Sequence, residues 1–115
     1  MTHPVESLDD VVHQRTRLGI LSVLAEVHRA QFRYLAETLG ATDGNLSRHL
    51  QVLEHAGYVT IDKGYEGRRP RTWVHITPDG RRAFDHEIRT LRQLTTPTAP
   101  TPDPPSSVAQ DPKAT

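Results

Sequence analysis

Between Thr42 and His55 the chain reads TDGNLSRHLQVLEH, a stretch in which three leucines are interleaved with short polar side chains, one arginine and one glutamine. At about 100° per residue Leu46, Leu50 and Leu53 form one apolar stripe, and Gly44, Arg48, Gln51 and His55 lie opposite it, flanked by Asn45 and Ser47. Such a face can donate and accept hydrogen bonds in one plane. An arginine can hold guanine with two parallel bonds, glutamine or asparagine can pair with adenine, and serine can serve either. Arg48 and Gln51 are therefore the expected base readers. Asn45, Ser47 and the free amides of a helix start capped by Thr42 are suited to phosphates, which fix register without carrying sequence information. By itself the pattern also describes an ordinary solvated helix face, so its surroundings must decide.

A second basic cluster follows. Lys63, Arg68, Arg69 and Arg71 stand against the single acid Glu66, a local charge of +3 within nine residues. The chain as a whole has a net charge of zero, but residues 9–94 hold 13 Lys and Arg against 11 Asp and Glu, leaving +2 there. Such a cluster is suited to backbone phosphates or to a narrow A·T minor groove. Tyr65 and Trp73 add aromatic surface nearby, and neither is assigned a site role.

These side chains need rigid elements behind them. Apolar residues at helical spacing from Leu8 to Val27 predict one long helix, or two joined near His13 to Thr16, with a neighbouring backbone expected close to Gly19. Phe32 to Leu39 predicts a short helix stopped by Gly40, and Asp43 or Gly44 to about Ala56 a third helix, with Thr42 as N-cap and Gly57 as its stop. Beyond Gly57 the period becomes two: Val59 and Ile61, then Val74 and Ile76, predict a two-stranded hairpin joined by a long mobile loop, Gly64 to Pro70. Thr77, Pro78 and Asp79 open a last helix through Leu94. The fold class is α+β, mainly helical, a winged helix-turn-helix. The expected domains are a flexible N-terminus over 1–8, a working unit over 9–94, and a disordered tail over 95–115, where six of 21 residues are proline.

The stretch QFRYLAETLGATDGNLSRHLQVLEHAGYVTIDKGYEGRRPRTWVHITPDGRRAF resembles the winged-helix core of the MarR and ArsR/SmtB transcriptional regulators. LAETLG matches the positioning helix, TDGNLSRHLQVLEHAGYV the recognition helix and first strand, and RRPR the wing. HQRTRLGILSVL resembles the first core helix of ArsR-like proteins. The resemblance implies a homodimer that joins through its terminal helices and binds double-stranded promoter DNA under control of an effector. The chain is also similar to the nickel-responsive regulators of superoxide dismutase expression in actinobacteria, which implies a second, metal-sensing protein as a partner.

ArsR/SmtB relatives often sense metals, so nickel or zinc is an expected effector, and seven histidines invite a search for ligands. The densest group is Asp85, His86 and Glu87, with His3 and His13 near the N-terminus. Consecutive helical residues point in different directions, so these three cannot converge on one ion without a partner subunit. His86 is the candidate ligand. The absence of cysteine removes thiolate sites and disulfides, and no run of residues is long and apolar enough to span a bilayer, so a cytoplasmic location without membrane contact is expected. No phosphate-cradling glycine motif, metalloprotease helix or paired nucleophile and base is present, so no enzyme is expected. The alternative function is a winged-helix module that docks a protein rather than DNA.

Overall fold

The computed structural model describes residues 8–95; the expected flexible N-terminus up to residue 7, His3 included, and the tail beyond Thr95 lie outside the described residues. The elements in chain order are α1 Arg15–Val27, β1 Arg29–Gln31, α2 Phe32–Leu39, α3 Asp43–His55, β2 Val59–Glu66, β3 Arg69–Ile76 and α4 Pro78–Thr95. This is the expected mainly helical winged helix, with one strand more than expected.

The segment from Leu8 does not run into α1 as one helix. Gln14 is extended, and its side chain accepts the Arg17 amide at 2.9 Å, which caps α1 one residue later. Upstream, Asp9 accepts the Val11 amide at 2.8 Å and the Tyr58 hydroxyl at 2.7 Å, so residues 9–14 fold as turns. Arg17 secures them by donating to the carbonyls of Val11 and Asp10. Val12 is still fully buried, so the apolar spacing correctly marked a core residue while misjudging the backbone that carries it.

The core joins Ile20, Leu21 and Leu24 of α1, Leu35 and Ala36 of α2, the three leucines of α3, and Ala30, Val59 and Val74 of the sheet. Each fully buried leucine contributes about 1.5–3 kcal/mol relative to exposure. Gly19 is crowded, as expected, but by a side chain: a Cβ there would stand 3.0 Å from Cδ2 of Leu39.

α1 ends at His28, whose φ of 70° turns the chain into β1. Arg81 of α4 donates at 3.0 Å both to the Ala25 carbonyl and to Nδ1 of His28, placing a cation at the negative end of α1. The three residues of β1 then pair antiparallel with β3, Ala30 opposite Val74, in a sheet of order β1-β3-β2. A strand this short has too few alternations to be legible as period two.

The wing also differs from expectation. Instead of a long loop, β2 and β3 stay in register out to Glu66 and Arg69, closed by Gly67 and Arg68, with Gly67 at φ 64° where a left-handed turn favours glycine. Pro70 is tolerated because β1 pairs only with Trp73 to His75, leaving the far side of β3 open at Pro70. After the hairpin, Thr77 Oγ1 accepts the Gly80 amide at 2.9 Å and donates to the Gly57 carbonyl at 2.6 Å, so one hydroxyl both starts α4 and fixes it to the end of α3.

Candidate nucleic-acid interface

α3 is oriented by its leucines. Leu46, Leu50 and Leu53 are buried, so the opposite face is forced outward: Thr42, Gly44, Asn45, Ser47, Arg48, Gln51 and His55 are all exposed. Thr42 caps the helix as expected, its hydroxyl accepting the Asn45 amide at 3.2 Å. Nη2 of Arg48 donates to Oδ1 of Asn45 at 2.9 Å, so the guanidinium is steered along the helix surface rather than left to sample all rotamers. Arg48, Gln51 and His55 also border a shallow apolar patch with Val11 and Val52.

Two contacts on this helix had no local signal in the sequence. Arg33 of α2 reaches Asp43 at 2.8 Å, tying the positioning helix to the first turn of α3. The bond and charge of Asp43 hold the Arg33 guanidinium protonated more firmly than usual. On the inner flank, Nη1 of Arg17 meets Nδ1 of His49 at 3.0 Å. Partial burial lowers the His49 pKa, and the positive charges of Arg17 and Arg48 lower it further. A guanidinium only donates, so Nδ1 is the acceptor and the neutral ring carries its proton on Nε2. His49 therefore braces α3 against α1 rather than joining the outward face.

Register sorts the basic residues of the wing. Period two places Lys63 and Tyr65 on the face of β2 that also carries Val59 and Ile61, opposite Thr72 and Pro70, whereas Arg69 and Arg71 share the other face with Glu66. Lys63 is thereby brought beside α3: a groove of about 570 Å³ runs between them, floored by Phe32, Leu50 and Ile61 and edged by Ser47, Gln51, Glu54, Lys63 and Thr72. Arg68 and Arg69 are exposed at the hairpin tip. Arg71 is half-buried, and its Nε donates to Glu66 at 3.2 Å, so its charge is partly committed within the wing. Glu54 is the one acid on the groove and would repel a phosphate placed there.

The triplet Asp85, His86 and Glu87 divides. Asp85 and His86 are exposed, while Glu87 is fully buried, with Oε2 2.6 Å from Nδ1 of His13 and Oε1 without a hydrogen-bond partner. The three do not fit a single ion, and among the described residues no group of three histidine or carboxylate side chains converges as a metal site. No helix among the described residues is long and apolar enough to cross a membrane.

The winged helix DNA-binding domain family matches residues 16–95. An uncharacterized protein of Methanocaldococcus jannaschii is 41% identical over 78 residues, covering 68% of this chain and 85% of that one. A riboflavin kinase of Halobacterium salinarum is 34% identical over 83 residues; the match takes in 67% of this chain and only 34% of the kinase. Among solved structures, a transcriptional regulator homologue from Pyrococcus horikoshii superimposes with a TM-score of 0.76 at 31% identity, covering 83% of this chain and 95% of its own.

Proposed function

The chain belongs to the winged helix DNA-binding domain family, and from that premise we propose that it regulates transcription by laying α3 in the major groove of promoter DNA. On this reading Arg48 and Gln51 contact base edges, while Thr42, Gly44, Asn45, Ser47 and His55 let the helix approach and hold phosphates. Lys63, Arg68 and Arg69 follow the backbone or enter the neighbouring minor groove. Arg71 supports the wing through Glu66 and adds to its positive field. The observation that carries this reading is the composition of the outward face of α3, held outward by three buried leucines with a basic hairpin beside it.

The regulator acts as a homodimer of the ArsR/SmtB or MarR kind. Support comes from α4, where Ile88 and Leu91 are only half-buried and Leu94 is exposed, an apolar margin suited to a second copy. A two-fold dimer would read a palindrome with half-sites about one helical turn apart.

Control by nickel or zinc is exerted through a second, metal-sensing protein, because Asp85, His86 and Glu87 of one chain face apart. Selection of bound fragments from random DNA, with and without nickel or zinc, tests the whole reading. A palindromic consensus whose binding weakens steeply with salt is the expected result. No duplex binding even at low salt would overturn it in favour of a protein-docking module.

A further inference from the structure

On the side of the sheet away from the wing groove, the end of α1, β1, α2 and Trp73 of β3 line a shallow, open pocket of about 460 Å³, its volume within the range of small-molecule sites. Val27 and Tyr34, two of the four large apolar side chains exposed in the described chain, line this pocket. Trp73 lines it as well, with the Arg29 guanidinium 4.3 Å from the centre of its ring. Of the charged groups there, Arg33 is already paired with Asp43. Arg29 and Glu37 remain, both exposed and in no ion pair among the described residues. The pocket thus offers the Tyr34 ring, a Trp73 ring already covered by Arg29, and one cation and one anion outside any ion pair, with Glu37 close enough to Arg33 to favour the charged form of that guanidinium.

We propose that this pocket binds a zwitterion with an aromatic side chain, that is, an aromatic α-amino acid. Its carboxylate meets Arg29, its ammonium meets Glu37, and its ring packs against the exposed Tyr34 and Val27 beside the Arg29–Trp73 stack. A purely anionic ligand would leave Glu37 facing like charge, and a purely cationic one would face Arg29; only a ligand carrying both charges satisfies both. Arg33 borders the pocket and also holds Asp43 in the first turn of α3, so occupancy is transmitted to α3 through that one side chain. The transmission rests on the DNA-binding reading, whereas the binding site does not.

Trp73 is the single tryptophan of the chain, so its emission, excited where phenylalanine does not absorb, reports this pocket. L-Phenylalanine should change that emission saturably and shift the Trp73 indole N–H resonance. Phenethylamine and 3-phenylpropionate, each lacking one charge, should bind about tenfold or more weakly, and Arg29→Gln and Glu37→Gln should each weaken L-phenylalanine to a similar degree. Both side chains are exposed, so unchanged circular dichroism is expected of the variants. No saturable response in either readout, equal response to all three compounds, or unaltered binding by both variants would overturn the site. Saturating L-phenylalanine should also shift the affinity for the selected DNA; binding with no such shift would overturn the transmission through Arg33 and leave the site standing.

Discussion

The carbonyl oxygen of Tyr58 stands 2.1 Å from where a Cβ on Gly80 would lie, so the first turn of α4 can rest against the start of β2 only without a side chain. Gly44 on α3 has nothing within 4 Å of the same construction. Two helical glycines therefore make opposite predictions. Gly80→Ala should cost about 3 kcal/mol or more, because backbone atoms cannot move aside as a flexible side chain would. Gly44→Ala should gain up to about 1 kcal/mol of helix stability and weaken DNA binding by adding bulk to the outward face. Urea denaturation and DNA titration of both variants check the contrast; equal stability of the two would refute it.

His49 gives a pH dependence with a definite sign. Its folded-state pKa lies below the ordinary 6.5, lowered by burial and then by Arg17 and Arg48. As pH falls through about 6.5 the unfolded chain takes up the proton first, so this contribution is complete above about pH 6.5. It is lost progressively below that, down to the folded-state value. His49→Gln keeps a hydrogen-bond acceptor that does not titrate. Unfolding free energies at about pH 8 and about pH 5.5 should differ less in the variant than in the parent.

Arg48 and Arg69 divide specificity from affinity. Arg48→Ala should cost about 1–3 kcal/mol in binding and relax the preference at one base position, whereas Arg69→Ala should weaken all sequences evenly and flatten the salt slope by about 1. Titrations against the selected site and single-base variants, at several salt concentrations, separate them. Altered base preference in Arg69→Ala would mean that the wing reads the minor groove.

Glu87 is fully buried and its carboxylate has one hydrogen-bond partner, the half-exposed His13. His13→Ala should destabilise by about 1–3 kcal/mol, since it leaves the buried Glu87 carboxyl without its one hydrogen-bond partner, while Glu87→Gln should be milder. Thermal or urea melts of the two variants decide, and a harsher Glu87→Gln would reverse the assignment of which group is uncompensated.

The metal proposal has its own check. Nickel isotherms of the parent and of His86→Ala should be the same, because His86 and Glu87 face different surroundings on α4. A tight site lost in His86→Ala would move metal sensing onto this chain.

Much of this fold was legible because local physics fixed it. Leu46, Leu50 and Leu53 at helical spacing dictated which face of α3 turns outward, Thr42 announced the helix start, and Thr77 with Pro78 announced α4. Where the reading went astray, polar contacts and strand pairing that apolar spacing does not register decided the backbone. Gln14 and Arg17 turned an apparently continuous helix into a turn followed by α1, and strand pairing straightened an expected loop from Gly64 to Pro70 into a ladder closed at Gly67 and Arg68. β1 exists only because β3 offers it an edge.

The sequence by itself determined the element order, the outward face of α3 and the basic character of the wing, since periodicity, capping and charge are properties of neighbouring residues. Only the tertiary structure decided which of those charges act together. Lys63 lines one groove with Gln51 while Arg71 turns to Glu66, His49 is held by Arg17, Arg33 is held by Asp43, and Glu87 meets His13. The Arg71–Glu66 link spans only the tip of the wing, whereas the other pairings bring together residues ten or more positions apart. They are set by strand register and helix packing, and no local window of sequence contains both partners.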